Sequence, residues 1–321
     1  MAVSFVGKII DIRKIENADK IVSATVVLGQ AGKWEGVVGK DQFQIGDKCN
    51  VFLQDAIIPE SLGLTFLKSP KIKMARFRGV PSECLITQVF QNGEIGDSID
   101  EKLGVTKFEK PIPVSMQGMI EGNFPSFISK TDEPNFQTVS QMVEFLKTEP
   151  CYSTMKYDGT SGTAYRWTDH FGVCSRNLEL KDGGNIYWEM ARKYDLKNKI
   201  PEGIVIQFEI YGEGIQKNPL GIKGNEIAVF NVYNIPSHSY LDRGDFENFC
   251  EQNGLPMAKI VKIFPEGLLF NTSEELRKES ESVKYPNGSN AEGLVYRPYT
   301  EKYMGSNRVS FKVISLAYKG D

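Results

Sequence analysis

Residues 153–161 read Ser-Thr-Met-Lys-Tyr-Asp-Gly-Thr-Ser, and the order of residue types here decides how the rest of the chain is read. Cys151 to Tyr157 has the make-up of a short strand, and the glycine and small polar residues after Asp158 make a turn. Successive strand side chains point to opposite faces. Thr154, Lys156 and Asp158 therefore share one face, while Met155 and Tyr157 face the other way and pack. A lysine held on a strand beside a carboxylate, at the head of a glycine turn, is placed to attack a nucleotide phosphorus. Lys-x-Asp-Gly also recurs by chance, and a charged strand end is usually only solvated. The chemistry has to be carried by residues further along the chain.

Working outward, 321 residues predict two domains, each able to bury a core. With 40% hydrophobic and 25% charged residues the composition is that of a soluble globular protein. A net charge of −3 advertises no global affinity for nucleic acid, so any such site is a local patch. The five cysteines (Cys49, Cys84, Cys151, Cys174, Cys250) form no Cys-x-x-Cys pair, which fits reduced thiols and an intracellular, cytoplasmic setting. With only His170 and His238, histidine-dependent metal or triad chemistry is excluded as a first reading. The amino terminus alternates as a strand without a signal-peptide pattern, and no apolar run is long enough to cross a bilayer. A monomer is expected.

Residues 1–113 read as all-β. Alternating stretches such as VSFVGKIIDI, KIVSATVVL and KCNVFLQ are broken by Asn17-Ala18-Asp19, Gly29 to Gly32 and Gly46-Asp47, the spacing of a small barrel. Ile15 to Ile21, Gln44 to Asp47 and Leu53 to Pro59 resemble the OB-fold of tRNA-binding modules and some RNA ligases. Lys68, Lys71, Lys73, Arg76 and Arg78 form a basic run without an acidic residue. It is either a face for an RNA phosphate backbone, with Arg76 and Arg78 the better candidates, or a solvated loop that keeps an edge strand soluble. Residues 114–134, rich in proline and glycine, read as a linker. Residues 135–321 mix helices and strands without a βαβ rhythm, the pattern of an α+β domain with antiparallel sheets. A helix with Phe136, Val139, Val143 and Leu146 on one stripe leads into the Lys156 strand. Further helices are expected near 185–194, near 245–252, and from Thr272, where Thr272-x-x-Glu275 is a capping box.

Polar residues then punctuate apolar strands in a fixed order: Ser175-Arg176-Asn177, Glu209 in Phe208-Glu209-Ile210, Phe230 in Phe230-Asn231-Val232, Glu292-Gly293, and Lys312 in Phe311-Lys312-Val313. Each alone is the exposed half of an amphipathic strand. Together with Lys156-Tyr157-Asp158-Gly159 the order resembles the covalent nucleotidyltransferase superfamily of ATP-dependent ligases and capping enzymes. DNA ligases and capping enzymes continue into a C-terminal OB-fold, but here only nine residues follow Lys312 and an OB-fold comes first. That arrangement resembles the ATP-dependent RNA ligases with an N-terminal OB domain, found in amoebae (Naegleria) and Deinococcus, over nearly the whole chain.

The resemblance implies an enzyme that seals 3′-OH and 5′-phosphate RNA ends, including nicks in duplexes, through a lysyl-AMP on Lys156. It implies ATP and Mg²⁺ or Mn²⁺ as cofactors and RNA as partner. Asp158, Glu209 and Glu292 are the expected metal or metal-water contacts. Thr154, Met155, Asp158, Gly159, Arg176, Glu209, Phe230, Glu292 and Lys312 are the expected nucleotide contacts, with Phe230 either stacked on adenine or a core aromatic. Lys312, Arg176 and the metal are expected to lower the Lys156 pKa. Many relatives carry Lys-x-Lys in the last motif, whereas Ser310 and Ile314 flank Lys312, so Lys312 matches either lysine and Arg308 or Lys319 is a candidate for the missing charge. A DNA ligase or guanylyltransferase, and a non-catalytic OB-fold RNA-binding protein, are the competing readings.

Overall fold

A computed structural model of the chain describes residues 2–108, 118–270, 272–305 and 307–318. The chain divides into two compact units, Met1–Pro111 with Gln137–Ser140, and Ile112–Phe136 with Gln141–Lys319.

In the first unit, strands β1 (Ser4–Lys14), β2 (Ile21–Val27), β3 (Lys33–Gly39), β4 (Lys48–Leu53) and β8 (Cys84–Thr87) form one antiparallel sheet in the order β3-β2-β1-β4-β8. Asn17 takes a left-handed conformation (φ 57°) in the turn between β1 and β2, where asparagine tolerates what branched residues do not. The two sheet edges approach each other. The Glu83 amide donates to the Glu35 carbonyl at 2.8 Å, and the Val37 amide donates to Ser82 Oγ at 2.9 Å. The result is a nearly closed barrel around Ile9, Val26, Leu28, Val51 and Ile86. Short strands β5 (Ala56–Ile57) and β9 (Thr106–Lys107) pair beside it, with α1 (Asp100–Leu103) preceding β9. Strands β6 (Ala75–Phe77) and β7 (Val80–Ser82) make a hairpin through Arg78 and Gly79, both at positive φ (52° and 83°), as a two-residue primed turn requires.

The second unit holds two antiparallel sheets. The larger runs β10 (Ile120–Asn123), β14 (Leu178–Leu180), β13 (His170–Cys174), β12 (Thr160–Trp167), β15 (Ile204–Gly212), β16 (Asn225–Asn234) and β17 (Ser239–Tyr240). The smaller runs β18 (Ile260–Phe264), β11 (Cys151–Lys156), β19 (Gly293–Pro298) and β22 (Phe311–Ile314), with β20 (Tyr303–Met304) and β21 (Asn307–Arg308) as a hairpin before β22. Helices α3 (Ile186–Lys193) and α5 (Arg243–Gln252) bury Tyr187, Met190, Phe246 and Cys250 against Phe208 and Val229 of the larger sheet. Full burial of a side chain such as Phe208 contributes about 1.5–3 kcal/mol. Helix α4 (Leu196–Lys199) follows α3 closely, and α6 (Ser273–Ser282) starts at its capping threonine, whose hydroxyl accepts from the Glu275 amide at 3.2 Å.

Two expectations are corrected here. The stretch 114–134 is not merely a linker: Ile120–Asn123 is an edge strand, Ile128 is buried, and Glu133 pairs with Arg297 at 2.6 Å (residues 114–117 lie outside the described ones). Glycine and proline hid the strand because an edge position tolerates both. The helix expected from Phe136 begins later. Phe136–Thr138 is a single 3₁₀ turn, and α2 (Ser140–Leu146) follows with Met142 and Leu146 inward.

Candidate active site

The smaller sheet hands the chain to the larger one at the Lys156 turn. Strand β11 ends with Lys156 opposite Gly293 of β19, and β12 begins with Thr160 opposite Ile210 and Ser161 opposite Glu209 of β15. Lys156 thus sits between a carboxylate at the head of β19 and one on β15. Its Nζ donates to Glu292 Oε2 at 2.6 Å, and both side chains are largely buried. The crossing is tight. A Cβ on Gly159 would lie 2.2 Å from the Ile210 carbonyl oxygen and 2.9 Å from Glu209 Cγ, and one on Gly293 would lie 2.2 Å from the Val313 carbonyl oxygen. Glycine is required at both points.

Tyrosines clasp this crossing. The Tyr285 hydroxyl donates to the Lys156 carbonyl at 3.0 Å and accepts from the amides of Asp158 (3.0 Å) and Glu292 (3.2 Å). The Tyr318 hydroxyl donates to the Asp158 carboxylate. Neither tyrosine was identified from the sequence, and no spacing or local pattern marks them. Tyr157, expected to pack, stacks on Tyr211 at 4.8 Å.

The charges do not balance. Burial pushes the Lys156 pKa down, but Glu292, Glu209 and Asp158 outweigh it and raise it above the ordinary lysine value. Three carboxylates hold the ammonium, so any lowering has to come from charge added beside them. Burial pushes the Glu209 carboxyl up to about 8; Lys156 pulls it back, while Glu292 and Asp158 add to the rise. Burial, with Lys156 second, pushes Lys312 down to about 8. Among the described residues no group of three or more His, Cys, Asp or Glu side chains could by itself hold a metal. Asp158, Glu209 and Glu292 instead all act on the one ammonium.

Phe230 occupies a bulge. Gln207 pairs with Asn231 and Phe208 with Val229, leaving Phe230 as the extra residue, half-buried. Its carbonyl accepts from Arg297 Nη1 at 3.1 Å. Arg297 is fixed by Glu133 at 2.6 Å and by Ser310 Oγ at 3.1 Å. Arg308 pairs with Glu301 and donates to Asn231 Oδ1 (2.8 Å), and Lys319 lies outside the described residues. Thr154 and Met155 are buried, and the Met155 amide already donates to the Lys259 carbonyl at 2.8 Å. Arg176 is exposed and pairs at 2.7 Å with Asp132, an acid that also acts on Lys312.

Residues 149–314, just over half of the chain, match the RNA ligase family. The chain belongs to that family. An OB-fold domain family matches residues 3–90 of this RNA ligase. Its structure is similar to that of Naegleria gruberi RNA ligase with PPi, at TM-score 0.85 and 28% identity over 99% of this chain and 98% of that one. A lysine-to-alanine variant of the Naegleria gruberi enzyme with ATP and Mn matches at TM-score 0.85 and 28% identity, covering 98% of each chain. A lysine-to-methionine variant with AMP and Mn matches at TM-score 0.85 and 28% identity, over 98% of this chain and 97% of that one. No curated protein sequence matches this RNA ligase.

In the ligase's first unit, Arg76 and Arg78 lie on the β6–β7 hairpin, both exposed, with Phe77 between them 43% exposed. Arg76 Nη1 donates to the Gly79 carbonyl at 3.1 Å. The hairpin presents two guanidinium groups and an aromatic ring on one short arm.

Proposed function

We propose that this RNA ligase joins RNA 3′-OH and 5′-phosphate ends, foremost at nicks in duplexes, through a lysyl-AMP on Lys156, and that it does so as a monomer. The observation that carries this is Lys156 fixed against Glu292, with Glu209 facing it across the sheet crossing. In the first step Lys156 Nζ attacks the α-phosphorus of ATP, the bond to the β-phosphate oxygen breaks, and pyrophosphate leaves. The AMP then passes to the RNA 5′-phosphate, and the 3′-OH displaces it. The Naegleria gruberi enzyme, similar over nearly the whole chain, has been solved with ATP, AMP and PPi.

Lys156 must lose its proton to attack, and its present partners oppose that. The donor set fits a hard cation: buried carboxylates, with Glu209 pushed up to about 8 by burial and by Glu292 and Asp158. Magnesium takes one or two carboxylates plus phosphate oxygens and water, so the absence of a closed three-acid cage among the described residues agrees with binding alongside ATP. When bound, Mg²⁺ or Mn²⁺ would draw negative charge from the phosphates. Glu292 and Glu209 would turn toward that charge and release the lysine, with Asp158 orienting the turn. Lys312, whose burial the acids around it do not offset, would take a phosphate oxygen of ATP. Phe230 would stack on adenine, and Arg176 would reach the ribose or a phosphate. Thr154, Met155 and Gly159 would shape the pocket wall.

Incubation with α-labelled ATP and, separately, α-labelled GTP, followed by denaturing electrophoresis, tests this. Label from ATP on Lys156 is expected. Label from GTP alone would make the chain a guanylyltransferase, and label from neither would leave an OB-fold RNA-binding protein. Sealing of nicked DNA but not RNA would overturn the substrate.

A further inference from the structure

The β11–β19 ladder ends where its chemistry begins. Its last pair is Lys156 opposite Gly293. Beyond that pair the chain turns away toward β12, and the Lys156 carbonyl and the Asp158 and Glu292 amides meet at a single side-chain oxygen. One oxygen serves all three: the Tyr285 hydroxyl, at 3.0, 3.0 and 3.2 Å. A phenolic hydroxyl has one proton to give and two lone pairs to receive, so this one is fully used by backbone. It has nothing left for a substrate. The ring beneath it is buried at 2% exposure, and Tyr157 lies 6.1 Å away, centroid to centroid.

We infer that Tyr285 is a positioning residue: its hydroxyl ties the end of β11 to the head of β19 and holds the Lys156 nucleophile in register with Glu292. The inference rests on the ligase reading for its catalytic consequence, but its geometric part does not. Without the oxygen, the Asp158 and Glu292 amides lose the partner that ties them to each other. The two halves of the crossing then shift independently. A misplacement of about 1 Å at a reacting atom costs about 100-fold in rate.

Tyr285→Phe keeps the buried ring and removes only the oxygen. In nucleotide-free protein, acetylation of Lys156, read by peptide mass spectrometry against the exposed Lys217, should rise about threefold or more as the Glu292 contact loosens. The single-turnover rate of lysyl-AMP formation should fall about 10–100-fold, with half-saturation for ATP changed by less than about threefold. Sealing of RNA supplied already adenylylated, which needs no lysine nucleophile, should fall by less than about threefold. Tyr285→4-aminophenylalanine restores a polar atom at the ring tip and should recover part of the adenylylation rate. Unchanged acetylation with an unchanged adenylylation rate overturns the inference. So does a joint fall of Tm, adenylylation and sealing that 4-aminophenylalanine does not relieve, which marks a merely structural residue. If the wild type forms no lysyl-AMP at all, the ligase reading fails while the acetylation comparison still decides the role of Tyr285.

Discussion

Two clusters of buried charge sit in the second unit, and they are balanced differently. Around Phe230, Arg297 and Arg308 face Glu133 and Glu301. Burial works against the ionised Glu133, yet Arg297 and Arg308 outweigh it and hold its carboxyl below the usual range. Arg308 is likewise held above its ordinary value, since Glu301 outweighs its burial. Around Lys156, three carboxylates compete for one ammonium, while burial and the Lys156 charge outweigh the pull of Glu292, Asp132 and Glu133 on Lys312. There both Glu209 and Lys312 are driven toward about 8. The first cluster is complete as it stands and fixes backbone and side chain alike: the Phe230 carbonyl and the Asn231 amide oxygen. In the second, burial prevails over pairing at both Glu209 and Lys312. A metal bound to a triphosphate would bring a cation to the one and an anion to the other. Satisfied charge fits a scaffold, and strongly shifted groups fit the reacting site proposed above.

The largest effect that could break this contrast is at the nucleophile. Lys156→Ala should abolish covalent labelling by α-labelled ATP, a loss of more than about 10³-fold, because covalent catalysis has no substitute nucleophile at that turn. Labelled Lys156→Ala protein on a denaturing gel would end the assignment.

The second test exchanges the clusters. Glu292→Ala and Glu209→Gln should each slow adenylylation about 100-fold across a Mg²⁺ titration, with Tm held or raised, since each removes an excess acid. Glu133→Ala should do the opposite. It strands Arg297, which is 2% exposed, and should cost about 3–5 kcal/mol of stability in urea unfolding. Equal stability losses at Glu133 and Glu209 would erase the distinction between the clusters.

How far the sequence carried this depends on the kind of residue. Lys156, Glu209, Glu292 and Lys312 could be read because a charge inside an apolar strand is a local anomaly, and four anomalies in one order become a pattern. The barrel was legible for the same reason: alternation and Gly-Asp turns are local signals. Tyr285 and Tyr318 were not legible, because they act across 129 and 160 residues of chain and a tyrosine among tyrosines carries no local anomaly. The Phe230 bulge depends on the register of β15 against β16, which composition does not set. Strand Ile120–Asn123 was hidden by its glycine and by the prolines around it. The pull of three carboxylates on Lys156 was not legible either, because they come from three separate elements.

The pH dependence sharpens the comparison from the side of stability. The folded Glu209 value of about 8 lies above the free glutamate value of about 4.3. The folded state therefore binds the extra proton between those values. The stabilisation is full below about 4.3 and is lost as pH rises through about 8. Glu209→Gln should flatten the decline of Tm between about pH 5 and 8 in metal-free buffer. Glu133, held low, works at the other end: its stabilisation is present above the free value and is lost as pH falls through its lowered one. Glu133→Gln should change the acid limb instead. A Tm–pH curve that Glu209→Gln leaves untouched would mean that Glu209 is already ionised without metal.

The smallest expected effect concerns the first unit, where charge is exposed and not buried. Arg76 and Arg78 sit on a two-residue hairpin whose turn geometry is fixed by positive φ at Arg78 and Gly79, with Phe77 exposed between them. Exposed guanidinium groups on a rigid arm suit phosphate oxygens, and an aromatic ring beside them suits an unstacked base. The competing account is that they only keep a short strand pair soluble. The two differ in salt dependence. If each arginine neutralises one RNA phosphate, Arg76→Ala with Arg78→Ala should reduce the slope of log affinity against log salt by about 2. Nick sealing should fall about 10-fold near physiological salt, while lysyl-AMP formation, which needs no RNA, should stay within about twofold of wild type. Phe77→Ala should weaken binding by a similar amount without changing the slope, since stacking releases no counterions. If the double variant keeps the wild-type slope and seals at the wild-type rate, the hairpin is a soluble edge, and the phosphate backbone lies elsewhere.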